Sequence, residues 1–278
     1  ITNNQYTKIR VYDAIVGFDE EDEDLKEHMD QVLSEKEVTS GIRARETSVD
    51  VETEEGSKTG DVIVPEDKKE IEKYIKFKDR TTGKSYHMSD DGVIITEKLA
   101  KILNIEVGDT IWLKEGETKK KAVKVMAIAE NYMMNYVFMS DSLYQSLYKK
   151  APVYNQVFVN TLKHTSSFED ALSKKLLKME GVTSVSYVSS AQEEMGEMLG
   201  NLNIVVFVLI AAAGLLAFVV LYNLNNINIE ERRRELATIK VLGFYQPELA
   251  AYVYRENVLL TIIGIVIGIF FGRILHQY

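Results

Sequence analysis

Apolar positions are spread unevenly along the 278 residues. Up to residue 190 they come in short stretches broken by charged and turn-forming residues, and beyond it they gather into two long runs. Residues 204–222 (IVVFVLIAAAGLLAFVVLY) are almost wholly apolar and lie in a segment, 198–229, with no charged side chain. As a helix, each of these residues rises ~1.5 Å, so the run approaches the ~30 Å hydrocarbon core of a bilayer. A buried helix of a soluble protein is the alternative, but a run this long with no polar stripe predicts a membrane span. The second run, residues 257–272 (NVLLTIIGIVIGIFFG), is short for a span, with Arg255 and Arg273 placed to snorkel at its ends. A signal peptide is excluded by position. The chain begins at Ile1, and the second run ends six residues before the last one, so the sequence reads as an internal piece of a longer membrane protein.

The first 190 residues predict an α+β domain. Residues 8–16 suit a strand, and the acidic stretch 19–36 a helix with Leu25, Met29, Val32 and Leu33 as its apolar positions. Period-two alternation resumes over 42–51. Residues 74–77 and 86–88 flank a Thr81-Thr82-Gly83 turn, a hairpin signal. Thr96 is placed to cap a helix through Leu103, which Asn104 closes in a left-handed conformation. Strands follow at 110–113 and 121–129, joined at Glu115-Gly116, then a strand at 136–139 and a helix capped by Ser140. After a strand at 155–160, Ser166 and Glu169 have capping-box spacing for a helix to Met179 that Gly181 ends, and a strand at 183–188 closes the domain. The expected fold is an α+β domain over 1–190, with a βαβ-like part (7–55 with 136–188) and a small β-rich insertion at about 60–135. A stalk and transmembrane α-helix (191–224), a loop (225–256) and a second transmembrane α-helix (257–275) follow.

Charge orients this arrangement. Lys and Arg within about 15–20 residues of a span decide which side faces the cytoplasm. Residues 183–202 contain neither, whereas Arg232, Arg233, Arg234 and Lys240 crowd the loop. The loop is therefore expected inside and residues 1–200 outside. The formal net charge of -9 argues against nucleic acid as a partner, because phosphate binding needs a basic face. The absence of cysteine excludes a disulfide framework, a thiolate metal site and a Cys nucleophile.

Candidate chemistry is sparse. Gly83-Lys84-Ser85 has the tail of a phosphate loop, but the glycine required five residues earlier is Lys78, and the segment reads as a hairpin. His28, His87, His164 and His276 lack ligand spacing and read as solvated surface. The acids of 19–24 lack EF-hand spacing and read as a solvated helix start. No nucleophile elbow or zincin motif is present, so no catalytic residue, no metal site and no enzymatic activity are expected in this chain. Residues 131–139 (NYMMNYVFM) are read as a core strand and its approach. The sharper alternative is an adaptable partner surface formed by Tyr132, Met133, Met134 and Tyr136.

The loop predicts a helix over 230–242, with Gly243 as its stop and Pro247 opening the next. Glu230 and Glu231 are spaced to pair with Arg234, offsetting the like charges of Glu231 and Glu235. The helix presents Leu236, Ile239 and Leu242 among charges. It reads either as a helix beside lipid headgroups or as a docking helix for a groove on a cytoplasmic partner. In the second span Gly264, Gly268 and Gly272 line one face without side-chain bulk, and Ala213 and Ala217 do so on a smaller scale in the first, which suits close helix packing. Neither run offers a polar lining for a hydrophilic solute, which favours transmitting motion over conducting a solute.

Residues 223–272 resemble the FtsX-like permease family, the membrane subunits of MacB-type ABC transporters. The matching features are Glu231-Arg232, Arg234-Glu235, Leu242-Gly243 and Glu256, then Gly264, Gly268 and Gly272. Residues 91–139 are similar to outer domains of Gram-positive members, which implies such a source and a multi-pass cell-membrane location. The resemblance implies that the outer domain lies between the family's first and second spans, with the first and fourth absent from this piece. It also implies a cytoplasmic ABC ATPase subunit that binds ATP and Mg, with no cofactor in this chain, and a second permease half or protomer. On this reading Arg232, Arg233, Arg234 and Glu235 supply the polar contacts of an ATPase-coupling helix, and Leu236 and Ile239 the apolar ones. Glu231, Leu242 and Gly243 complete that motif. Export or extraction of a lipid, peptide or drug is the implied activity. The alternative is a non-transport mechanotransmission scaffold or sensor that regulates a cell-wall enzyme or senses peptides.

Overall fold

The computed structural model describes residues 9–243 and 245–277. Lys8, the expected start of the first strand, and the side chain of His276 lie outside the described residues. The described chain divides into two compact units, residues 1–198 and 199–278.

The first unit is built on one nine-stranded sheet. Strands β1 (Ala14–Phe18), β2 (Val38–Glu52), β8 (Gln156–Thr161) and β9 (Val182–Tyr187) run in the order β2-β8-β1-β9, all antiparallel. Helix α1 (Leu25–Leu33) joins β1 to β2 and α4 (Ser166–Leu176) joins β8 to β9, which gives a ferredoxin-like β-α-β-β-α-β unit. Met29 and Val32 of α1 and Leu172 and Leu176 of α4 pack with Val16, Val157 and Val159, so both helices cover one face of the sheet. The first helix is shorter than the acidic pattern suggests. Asp19 and Asp22 instead accept backbone N–H groups two residues ahead, so the segment before Leu25 folds as turns.

Between β2 and β8 the chain inserts β3 (Ser57–Pro65), β4 (Val93–Thr96), α2 (Glu97–Ile102), β5 (Thr110–Lys114), β6 (Lys121–Ala129), β7 (Tyr136–Phe138) and α3 (Asp141–Tyr148). Pairings β2–β3, β3–β7, β7–β4, β4–β6, β6–β5 and β5–β2 close a ring. The 136–139 strand, expected with the inner part, lies here instead, because β7 pairs β3 and β4. Val62, Val64, Val93, Ile95 and Val137 fill the ring. Their alternate neighbours Ile63, Ile94 and Phe138 pack with Ile42 and Phe158 of the ferredoxin-like sheet and with Tyr12, just before β1. These strands are buried on both faces, which demands continuous apolar runs rather than alternation.

Capping follows the sequence only in part. Ser140 caps α3 by accepting the Leu143 N–H at 3.2 Å, and Asn104 adopts φ 48°. Thr96 occupies the N-cap position of α2, yet its hydroxyl accepts the Tyr136 N–H at 3.2 Å and binds β7 instead. The Ser166–Glu169 capping box does not form, because Thr165 is the N-cap and Glu169 is buried elsewhere. Gly83-Lys84-Ser85 is a hairpin turn, with the Asp79 carboxylate accepting the N–H groups of Thr81 and Thr82 at 2.8 and 2.6 Å. His28 departs from the expected solvated surface. It is 9% exposed and meets Asp22 at 2.5 Å. Gly181, at φ 76°, is the residue that fits behind them, since a Cβ there would lie 2.3 Å from Asp22 Oδ2.

Strand β2 serves both halves of this unit. Residues 38–44 pair β8, and its other end pairs β5 from Asp50 onward. The edge between is closed by side chains. Asn155 Oδ1 accepts the Glu46 N–H and Asn155 Nδ2 donates to the Glu46 carbonyl, both at 2.8 Å, as a neighbouring strand would. Arg45, 6% exposed, donates to Glu20 and to the Val153 carbonyl at 3.2 Å and to Glu115 at 2.9 Å.

Arg45→Ala strands a carboxylate in a half-buried network and is expected to cost about 3 kcal/mol, and Asn155→Ala about 2 kcal/mol. The double variant falls short of the sum, since both residues hold Glu20. Urea unfolding read by Trp112, the only tryptophan, measures all three. The Asp22 hydrogen bond raises the His28 pKa and lowers that of Asp22. The His28 contribution to stability is therefore present below its ordinary 6.5 and lost as pH rises through the raised value. The Asp22 contribution is present above 3.8 and lost as pH falls through the lowered one. An NMR titration is expected to place His28 above 6.5, and Asp22→Asn to return it there.

Candidate functional site

Helix α5 (Val188–Glu231) leaves the domain, α6 (Arg233–Val241) follows, and α7 (Gln246–Gln277) completes the chain. Segments of α5 and α7 are long and apolar enough to cross a membrane. Their large side chains are exposed on every side (Phe207 72%, Leu215 68%, Ile269 67%), as a lipid solvent allows and water does not.

The expected helix at 230–242 is divided. Glu230 and Glu231 end α5, Arg232 departs from helical geometry (φ -94°, ψ 8°), and α6 starts at Arg233. Glu230 pairs with Arg233 at 3.4 Å, not with Arg234. Gly243 at φ 96° stops the helix, its N–H bonded to the Lys240 carbonyl at 3.2 Å. Arg232, Leu236 and Ile239, spaced four and three residues apart, share a half-buried face, so Leu236 and Ile239 are not the free apolar edge of the sequence reading. Arg233, Arg234, Glu235, Val241, Leu242 and Tyr245 are exposed, Leu242 by 73% and Val241 by 87%.

Among the described residues nothing lies within 4 Å of a Cβ built on Gly264, Gly268 or Gly272, and Ala213 and Ala217 are exposed. The small-residue faces are thus open in this chain.

The aromatic and methionine segment does not form a common patch. Tyr136 is buried, its hydroxyl accepting Arg10 Nη2 at 2.7 Å beneath the guanidinium, and burial raises its pKa. Tyr132, bonded to Glu130, and Met133 are half-buried, and only Met134, at φ 62°, is exposed at 52%. Asn131 holds this turn by donating to the Met133 and Met134 carbonyls. The adjoining cavity between the ring and the ferredoxin-like sheet, ≈ 20 Å³, has room for little more than a water. Among the described residues no group of three or more His, Asp or Glu could hold a metal. His87 and His164 are exposed, paired with Glu72 and Asp13 at 2.8 and 3.3 Å.

Residues 207–278 match the FtsX-like permease C-terminal family model. No curated protein matches the chain. Among solved structures, the chain is similar to the periplasmic region of MacB from Actinobacillus actinomycetemcomitans, at 9% identity and TM-score 0.43, covering 70% of this chain and 97% of that one. It is also similar to the extracellular domain of the noncanonic ABC-type transporter YknZ from Gram-positive bacteria, at 11% identity and TM-score 0.39, covering 63% and 98%.

In a chain without native cysteine, single cysteines report exposure cleanly. Substitutions at Val241 and Leu242 are expected to react with a hydrophilic maleimide several-fold faster than those at Leu236 and Ile239. Equal rates would contradict the half-buried face.

Proposed function

With an FtsX-like permease C-terminal region over residues 207–278 as the premise, we propose that this chain belongs to the membrane subunit of an ABC transporter complex. ATP and Mg bind a separate cytoplasmic ATPase subunit, and residues 1–200 lie outside the cell. Helix α6 docks on the ATPase through Arg233, Arg234, Glu235 and Leu242, while Arg232, Leu236 and Ile239 hold the helix in place. Gly243 lets the chain turn back toward the membrane. The open faces of Gly264, Gly268 and Gly272 receive a second permease half or protomer, since glycine lets helix backbones approach closely in lipid. The cargo class is a lipid, peptide or drug acted on from the outer side.

One observation carries this reading: a short, arginine-rich helix with exposed apolar residues at its end lies in sequence between two membrane-length helices. Lys and Arg mark the cytoplasmic side. A partner groove gives Val241 and Leu242 the burial they lack in this chain.

Leu242→Asp in the full permease, assembled with its ATPase, is expected to cut permease-stimulated ATP hydrolysis about tenfold, as loss of an interface anchor does. Arg233→Cys is expected to label only from the cytoplasmic side. Unchanged stimulation would remove the docking role, and labelling from outside intact cells would overturn the topology with it.

A further inference from the structure

Glu169 is a buried carboxylate with no role in the reading above. On α4, it is 7% exposed and has no ion pair among the described residues. Such a group costs several kcal/mol unless its environment compensates. Two features of α5 do so. Ser189, the second residue of α5, donates its hydroxyl to Glu169 Oε2 at 2.5 Å. The carboxylate also sits at the start of a 44-residue helix, whose N-terminal dipole favours negative charge. Burial, with the nearby Glu169 and Asp13 carboxylates, pushes the Tyr187 phenol, just before α5, up to about 12.

The root of α5 is held a second time from β1. The Val188 N–H donates to the Asp13 carbonyl at 2.9 Å. Asp13 is fixed in turn, its N–H bonded to the Val159 carbonyl at 2.9 Å and its carboxylate accepting the Thr161 N–H at 2.7 Å. Chain entering the domain and chain leaving it thus meet at one backbone hydrogen bond, beside a cleft of ≈ 230 Å³ whose lining includes Arg10, Asp13, His164, Glu169, Ser189 and Gln192.

We infer that Glu169 is a positioning residue: through Ser189 it latches the first turn of α5 to α4, so that the helix root and the ferredoxin-like sheet move as one body. This latch stands whether or not α6 docks on an ATPase, so its test is independent of the docking test.

The test is hydrogen exchange on the full chain in lipid nanodiscs, comparing amides of residues 192–198 with those of β2 and β8. Loss of a charge-assisted hydrogen bond predicts about tenfold faster exchange at 192–198 in Ser189→Ala and Glu169→Ala. Glu169→Gln, which keeps an acceptor, is expected to restore most of the protection, and β2 and β8 are expected to stay unchanged in Ser189→Ala. Unaltered exchange in Ser189→Ala would overturn the latch. So would Glu169→Gln exchanging as fast as Glu169→Ala, because burial of the charge rather than the hydrogen bond would then hold the root.

Discussion

The outer domain depends on a backbone obligation at the middle of β2. A strand that changes neighbours along one edge must satisfy its N–H and C=O groups across the gap or lose about 1–3 kcal/mol for each one left buried and unpaired. Asn155 meets the obligation at Glu46 by presenting a carboxamide in the geometry of a peptide, and Arg45 fills the space beside it. Because Arg45 draws Glu20 from the 19–24 turns and Glu115 from the β5–β6 turn, the same point ties the ferredoxin-like unit to the inserted ring. The two halves share a strand and a polar lock, so neither folds without consequence for the other.

Pattern reading succeeded where a segment has one wet face. β5 and β6 alternate between buried and exposed positions, and both were legible at nearly their true bounds. β3 and β4 are not legible because Val62, Ile63, Val64 and Val93, Ile94, Ile95 are buried in succession, and a doubly covered strand has no period to detect. Side-chain roles failed for a different reason: the partner lies far along the chain. Glu169 has the local spacing of a capping box, but Ser189, twenty residues on, claims it. His28 has no ligand spacing, but Gly181 and Asp22 enclose it. On α6 the charges and the glycine stop were legible, whereas the half-buried face of Leu236 and Ile239 depends on neighbours that helix periodicity alone does not reveal.

Acidic side chains tie separate elements of this domain together. Glu20, Glu115 and Glu169 each accept from a group on another element, and all join segments remote in sequence. The excess of Asp and Glu over Lys and Arg therefore includes struts as well as a solvating surface. Such struts are directional, unlike apolar contacts, and fix one arrangement of loops where hydrophobic packing would tolerate several.

Stiffness is the property that connects the parts of the helical region. A 44-residue helix spans about 66 Å, roughly twice the hydrocarbon thickness. Its end at Arg232 is a bend rather than a loop, because the Arg232 N–H still bonds the Asn228 carbonyl at 3.2 Å and the Leu236 N–H bonds the Arg232 carbonyl at 2.9 Å. Backbone hydrogen bonds therefore run from the root of α5 nearly to the end of α6. The first residue to break that continuity with a left-handed conformation is Gly243, where φ is 96°. The main chain is therefore hydrogen-bonded through the basic segment, and its reversal waits for the one residue type that adopts this conformation without a Cβ penalty.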